Sequence, residues 1–277
     1  MPPEIKSIGS AVPLPDYARP PVIEVVYSVQ FKNLAKFRVP FVGALWQFFR
    51  TEYPTTEERP PLQPVIENLN LQRADQEHYF DLSSSFPRSF FVSDAGNWVI
   101  QIQRDRFCYN WRKVKDEDEY PRYEEVSRRF FQAWATFENF CESEGLAPVE
   151  ITQLELTYIN HVPAGQAWKS LDDIGHVFPD ICWRTGERFL PTPESAQWLA
   201  SYRLPDRKGR LNLALRHAMR QSDKKPVLLC ELTARGLPSD HATPMADWFD
   251  LAREAIVRGF ADLTDERVQY DIWGRKT

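Results

Sequence analysis

Glycine is scarce in this chain, 11 residues in 277, and neither G-x-x-x-x-G-K-[ST] nor G-x-S-x-G occurs. Loops that cradle phosphate and elbows that expose a nucleophile need glycine where the backbone turns sharply or approaches a ligand, so nucleotide hydrolysis and serine-hydrolase chemistry are disfavoured. Cysteine is limited to Cys108, Cys141, Cys182 and Cys230, with no C-x-x-C pair, which reads as free thiols in a reducing compartment. His78, His161, His176, His217 and His241 show no metal-ligand spacing, so neither a metal nor a cofactor is expected. No apolar run approaches the ~18 residues that span a bilayer, and the opening residues lack a basic stretch followed by an apolar one. The expectation is a cytoplasmic protein with no membrane partner. A surplus of positive charge is missing as well. The net charge of −5 gives no global attraction to nucleic acid, so any such binding needs a local basic patch.

Aromatic residues, by contrast, are plentiful: 9 Trp, 10 Tyr and 18 Phe, enough for a few large side chains to supply much of a core. Prolines crowd the start at Pro2, Pro3, Pro13, Pro15, Pro20 and Pro21, and without their N–H donors residues 1–21 read as an extended arm. Val22 to Phe31 then alternates, with Ile23, Val25, Tyr27, Val29 and Phe31 on one side and Val22, Glu24, Val26, Ser28 and Gln30 on the other. That is the pattern of a half-buried strand. Helical spacing from Pro40 to Tyr53 predicts a first helix, followed by a proline-rich connection from Glu57 to Pro64.

Short strand signals at Tyr79–Leu82 and Ser89–Val92 precede a turn at Asp94–Asn97, after which Trp98–Gln103 and Arg106–Arg112 read as two further strands. A long helix opens after Pro121 and closes at Gly145, with Tyr123, Val126, Phe130, Trp134, Phe137 and Cys141 on one stripe. A stripe this dense is a core face.

The second half carries a similar order. Gln153-Leu154-Glu155-Leu156-Thr157-Tyr158 shares an aliphatic-Glu-aliphatic-x-Tyr frame with the first strand, Asp206–Gly209 corresponds to the earlier turn, and a helix from Met245 to about Leu263 follows Pro244. The sequence therefore predicts an α+β protein of two fused repeats, each a strand, a helix, antiparallel strands and a second long helix. One sheet face would lie under the helices, a topology analogous to the TATA-binding protein. The divisions are 1–21 as an arm, 22–148 as the first repeat and 149–277 as the second, packed as one globular unit.

Pro20-Pro21-Val22-Ile23-Glu24, Gln153-Leu154-Glu155-Leu156-Thr157-Tyr158-Ile159-Asn160 and the terminal Trp273-Gly274 together resemble a sporadically distributed family of uncharacterised bacterial proteins of this length. The resemblance covers most of the chain. It implies a single fold and accessory genes such as defence or stress systems, and it transfers no activity and no catalytic residue.

Side-chain parity fixes the composition of the face opposite the core. It presents Glu24, Gln101, Gln103, Arg106, Asn110 and Arg112 from the first half, then Glu155, Arg216, Glu231 and Arg235 from the second. A polar face of mixed charge is either a solvated sheet surface or a binding surface, because amides and guanidinium forks on a rigid sheet suit polar ligands and peptide backbone. The leading expectation is a non-catalytic interaction or ligand-sensing protein that binds a protein partner or a second copy of itself as a homodimer. The alternative is nucleic-acid binding through Arg104, Arg106, Arg112, Arg216 and Arg235; alternation puts Phe107, Tyr109 and Trp111 in the core and leaves Arg106 and Arg112 exposed, which weakens the likeness to a base-stacking surface. A third reading makes Glu24 and Glu155 the acid and base of a hydrolase.

Overall fold

The computed structural model describes residues 5, 12–63, 65–67, 86–146, 148–184, 186–220, 223–236 and 244–277. Strand β1 (Val22–Phe31) is followed by helix α1 (Val39–Phe49), which has proline in its first turn, where no N–H is required. β2 (Thr55–Arg59), β3 (Arg88–Val92), β4 (Trp98–Gln103) and β5 (Arg106–Arg112) come next, then helix α2 (Arg122–Ser143). β6 (Ile151–Pro163), β7 (Gln197–Arg203), β8 (Arg210–Met219) and β9 (Pro226–Gly236) lead to helix α3 (Met245–Leu263). The strand candidate at Tyr79–Leu82 lies outside the described residues. β2 falls where the sequence suggested only a connection. Thr55 and Thr56 suit an edge strand that pairs with β3 from Thr55↔Val92 to Arg59↔Arg88, and Pro60, which has no donor, ends it.

The strands form one nine-stranded sheet in the order β2-β3-β4-β5-β1-β6-β9-β8-β7. This overturns the expectation of two fused repeats, each with long helices over its part of a sheet. After β6 the place corresponding to α1 holds only a 3-10 turn, Leu171–His176, and three strands rather than four precede the last helix. The aliphatic-Glu-aliphatic-x-Tyr frames suggested a duplication because any half-buried strand alternates in this way, whichever fold contains it.

The chain gathers into two compact units, one of Glu24–Thr157 with Arg235–Phe249, the other of Met1–Ile23, Tyr158–Ala234 and Asp250–Thr277. In the first unit the aromatic stripe of α2 packs on β1 and β5. Tyr27 stacks on Phe130 at 4.6 Å between centroids, Phe31 lies 5.6 Å from Phe137, and Trp134 meets Phe107 edge-on at 5.5 Å. Phe249 closes on Tyr27 at 4.7 Å. Each such pair adds about 0.5–1.5 kcal/mol beyond the area it buries. Gly145 ends α2 with φ at +65°, a conformation open to glycine without a Cβ clash, and the next residue's N–H bonds back to the carbonyl of Cys141 at 2.8 Å.

In the second unit Leu211, Leu213 and Leu215 of β8 and Leu228, Cys230 and Leu232 of β9 are buried. The end of the proline-rich arm docks on the C-terminal segment. Ala18 donates to the carbonyl of Gly274 at 3.0 Å, Arg19 to that of Trp273 at 2.9 Å, and the Tyr17 ring sits edge-on to Phe260 and Trp273. No helix among the described residues is long and apolar enough to cross a membrane.

Candidate functional site

Strand register sets out the polar face of the first unit. Gln30 of β1 and Gln103 of β4 both pair with Arg106 of β5, Ser28 and Gln101 both pair with Cys108, and Glu24 pairs with Arg112. Neighbours in register on adjacent strands point to the same side, so these residues share one face, as parity requires. The same rule adds Arg88 of β3, because Ser89 pairs with Ile102 and points the other way.

The centre of this face is withdrawn from solvent. Gln153 is 0% exposed, Gln30 2%, Asn110 3%, Gln103 and Glu155 5%, and Arg106 7%. The reading of Arg106 as an exposed cation is corrected accordingly, while Phe107, Tyr109 and Trp111 are buried as their parity implies. A polar group removed from water must be paired at a cost otherwise of about 1–3 kcal/mol, so the partners on this face define what it does.

Part of the cover is the chain's own segment after β2. The carboxamide of Gln103 accepts from the N–H of Leu62 and donates to the carbonyl of Leu62, each at 3.0 Å. The carboxamide of Gln153 accepts from the N–H of Glu67 at 2.6 Å and donates to the carbonyl of Val65 at 2.6 Å. Gln30 also reaches the Val65 carbonyl, at 3.5 Å. Carboxamides carry a donor and an acceptor side by side, as the backbone does, so they can bond a main chain without reading its side chains.

Beside these amides lies a buried ionic cluster. Glu155 takes Arg106 Nη1 at 3.5 Å on one oxygen and Arg235 Nη2 at 3.1 Å on the other, and the first oxygen also accepts from Gln30 and Gln153. Arg235 Nη1 lies 4.0 Å from Glu67 Oε2. A chain of amides runs away from the cluster: Arg88 donates to Gln101 at 3.1 Å, Gln101 to Asn110 at 2.8 Å, and Asn110 to Glu24 at 2.7 Å. Burial, with Arg106 and Arg59 as like charges nearby, lowers the pKa of the Arg88 guanidinium. Burial also pushes the Cys108 thiol up, against the pull of Arg106, so this cysteine stays protonated and unreactive.

The sequence-derived site residues do not all converge. Gln101, Gln103, Arg106, Asn110, Glu155 and Arg235 belong to the network, with Glu24 at its end. Arg112 points its Nε at the carbonyl of Gly96 at 2.8 Å. Arg216, which is exposed, and Glu231, which accepts from Thr233 at 3.4 Å, belong to the other compact unit. Glu24 and Glu155 are held by different partners: Glu24 accepts from Asn110 at 2.7 Å, while Glu155 meets Arg106 on one oxygen and Arg235 on the other.

Two members of the network, Arg88 and Glu67, were missed. The alternation Arg88, Phe90, Val92 could have placed the arginine, but its strand is only five residues long. Glu67 lies in a stretch without periodicity. Sequence reasoning also missed the hydroxyls of Tyr53 and Tyr109, which sit 2.8 Å apart in the same unit with Arg129 beside them. Among the described residues no three His, Cys, Asp or Glu side chains are placed to hold a metal ion. No protein-family model and no curated protein sequence matches the chain.

Proposed function

We propose that this is a non-catalytic, cytoplasmic binding protein whose polar sheet face takes an extended polypeptide segment by its main chain, the partner being another protein or a second copy of this chain. The observation that carries the reading is the pair of two-point amide contacts: Gln103 with both backbone groups of Leu62, and Gln153 with Glu67 and Val65. These are the contacts by which a rigid surface holds an extended strand of loosely defined sequence, and here the chain's own segment takes them. A partner segment would compete with residues 60–67 for the same carboxamides.

The nucleic-acid reading draws less support. Arg104 donates to the carbonyl of Phe37 at 3.0 Å, Arg112 to that of Gly96, and Arg106 and Arg235 are paired with Glu155, which leaves Arg216 as the exposed cation of that set. Phosphate contacts need guanidinium groups turned outward.

The test uses a fluorescent octapeptide with the sequence of residues 60–67. It is titrated against the native protein and against a variant whose own residues 60–67 are replaced by a glycine-serine linker of equal length. The linker variant is expected to bind saturably and more tightly than the native chain. The same variant carrying Gln103→Ala and Gln153→Ala is expected not to bind. Absence of saturable binding to a linker variant that still unfolds cooperatively would overturn the reading.

A further inference from the structure

The geometry points to a second binding element on this face, an oxyanion site on the free edge of Arg106, flanked by Arg88 and Arg235, that takes a carboxylate or phosphate group. It goes beyond the peptide reading and does not depend on it, since it rests on guanidinium groups rather than on carboxamides.

The argument begins with donors that have no acceptor. Arg106 is 7% exposed, and its Nε and Nη2 are buried without a hydrogen-bond partner among the described residues. Among the described residues only its Nη1 approaches a carboxylate, at 3.5 Å, which is long for a guanidinium contact. Arg235 Nε and Arg88 Nε are buried and unpartnered in the same way. Arg88 has no carboxylate within 4.0 Å among the described residues; its Nη1 is satisfied by a neutral amide, and its guanidinium lies 4.9 Å above the Phe90 ring.

Placement sets Arg106 between the other two, since the strands run β3-β4-β5-β1-β6-β9. Arg106 and Arg235 share the carboxylate of Glu155, one on each oxygen, and Arg235 Nη1 also lies 4.0 Å from Glu67. Arg88 stands one position beyond the Ser89↔Ile102 pair, which puts it opposite Gln103, and Gln103 is the register partner of Arg106. Arg88 and Arg106 are thus two strands apart in one transverse row, ~10 Å between backbones, a span that two arginine side chains can close. Glu24 is remote from this row, roughly 20 Å along β1, and Asp105 accepts from Gln103 at 2.7 Å.

A protein gains nothing in stability from burying guanidinium donors that bond to nothing, whereas a planar fork with a free edge is the chemistry that grips a two-oxygen or three-oxygen anion. Glu155 already shows that a carboxylate fits between two of these arginines. An incoming oxyanion would occupy the free edges that Glu155 does not reach, Arg106 Nε and Nη2 above all.

The experiment is a calorimetric titration of the full chain with sodium phosphate, and separately with sodium succinate, against sodium chloride of equal ionic strength. At least one anion is expected to bind saturably and raise the melting temperature, as any ligand specific to the folded state must. Phosphate alone would identify a phosphorylated ligand, and succinate alone a carboxylate one. Arg88→Gln and Arg106→Gln are each expected to weaken binding at least ten-fold. Arg106→Lys, which keeps the charge and loses the fork, is expected to weaken it as well. Glu155→Gln, which removes the negative charge beside the free edge, is expected to tighten binding, an outcome that a purely structural role for the cluster does not produce. If Arg106→Gln fails to fold, the half-buried Arg88 carries the test. No saturable response to either anion, or an undiminished response in a folded Arg88→Gln protein, would overturn the proposal.

Discussion

Gln103 holds Leu62 at two points, its carboxamide oxygen accepting from the N–H and its nitrogen donating to the carbonyl, each at 3.0 Å across 41 residues of sequence. One side chain on β4 thereby fixes the path of a segment that has no regular structure of its own. Replacing Gln103 with alanine should cost about 1–3 kcal/mol in urea unfolding, because both backbone groups lose their partner in a part-buried place. The amide of Leu62 should then exchange with deuterium much faster than in the native protein. Unchanged protection at Leu62 would show that the segment is held by something else.

Glu155 carries the charge balance of the buried cluster. Its loss in Glu155→Ala leaves Arg106 and Arg235 without their shared carboxylate, and a change of this kind costs about 3–5 kcal/mol. Removing Arg106 as well should cost less than the two single changes added together, since the second deletion relieves the charge that the first exposes. Additive losses in a double-mutant cycle would mean that the pair is not coupled.

Trp134 is 4% exposed and packs between Phe107 at 5.5 Å, Phe137 at 5.5 Å and Phe31 at 6.3 Å. Trp134→Ala should lower stability by about 3–5 kcal/mol, the price of a large cavity among rings that cannot collapse to fill it. A denaturation midpoint close to that of the native protein would contradict this placement of the α2 stripe.

Tyr17 gives a prediction at alkaline pH. Its hydroxyl donates to Gln269 Oε1 at 3.0 Å, and burial, only partly offset by Arg275, pushes its pKa up to about 12. The folded state therefore holds this proton more tightly than the unfolded chain does, whose tyrosines titrate near ~10. The contribution is complete below that pH and is lost as pH rises through about 12. In Tyr17→Phe the fall in melting temperature across this window should be shallower than in the native protein. An identical slope would place the alkaline sensitivity elsewhere.

Much of the strand and helix order can be read directly from side-chain spacing. Val25, Tyr27, Val29 and Phe31 alternate because one side of β1 meets the aromatic stripe of α2, and the three-and-four spacing of Tyr123, Val126, Phe130 and Trp134 marks the face that meets it. The membership of the opposite face follows from the same rule, and Gln30, Gln103 and Arg106 are neighbours in register there. The supposed repeats were a misreading of local similarity, since two strands can share a hydrophobic frame without sharing the elements that follow them.

What the chain's own letters determined, then, is which side chains face together, because the two-residue period of a strand and the 3.6-residue period of a helix are properties of the backbone alone. Only the tertiary structure decided that the centre of the polar face is buried, that Glu67 meets Arg235, and that Glu24 and Glu155 are held by different partners. Those facts depend on strand order and on a proline-containing segment anchored through its backbone by glutamines tens of residues away, and no periodicity encodes such a contact.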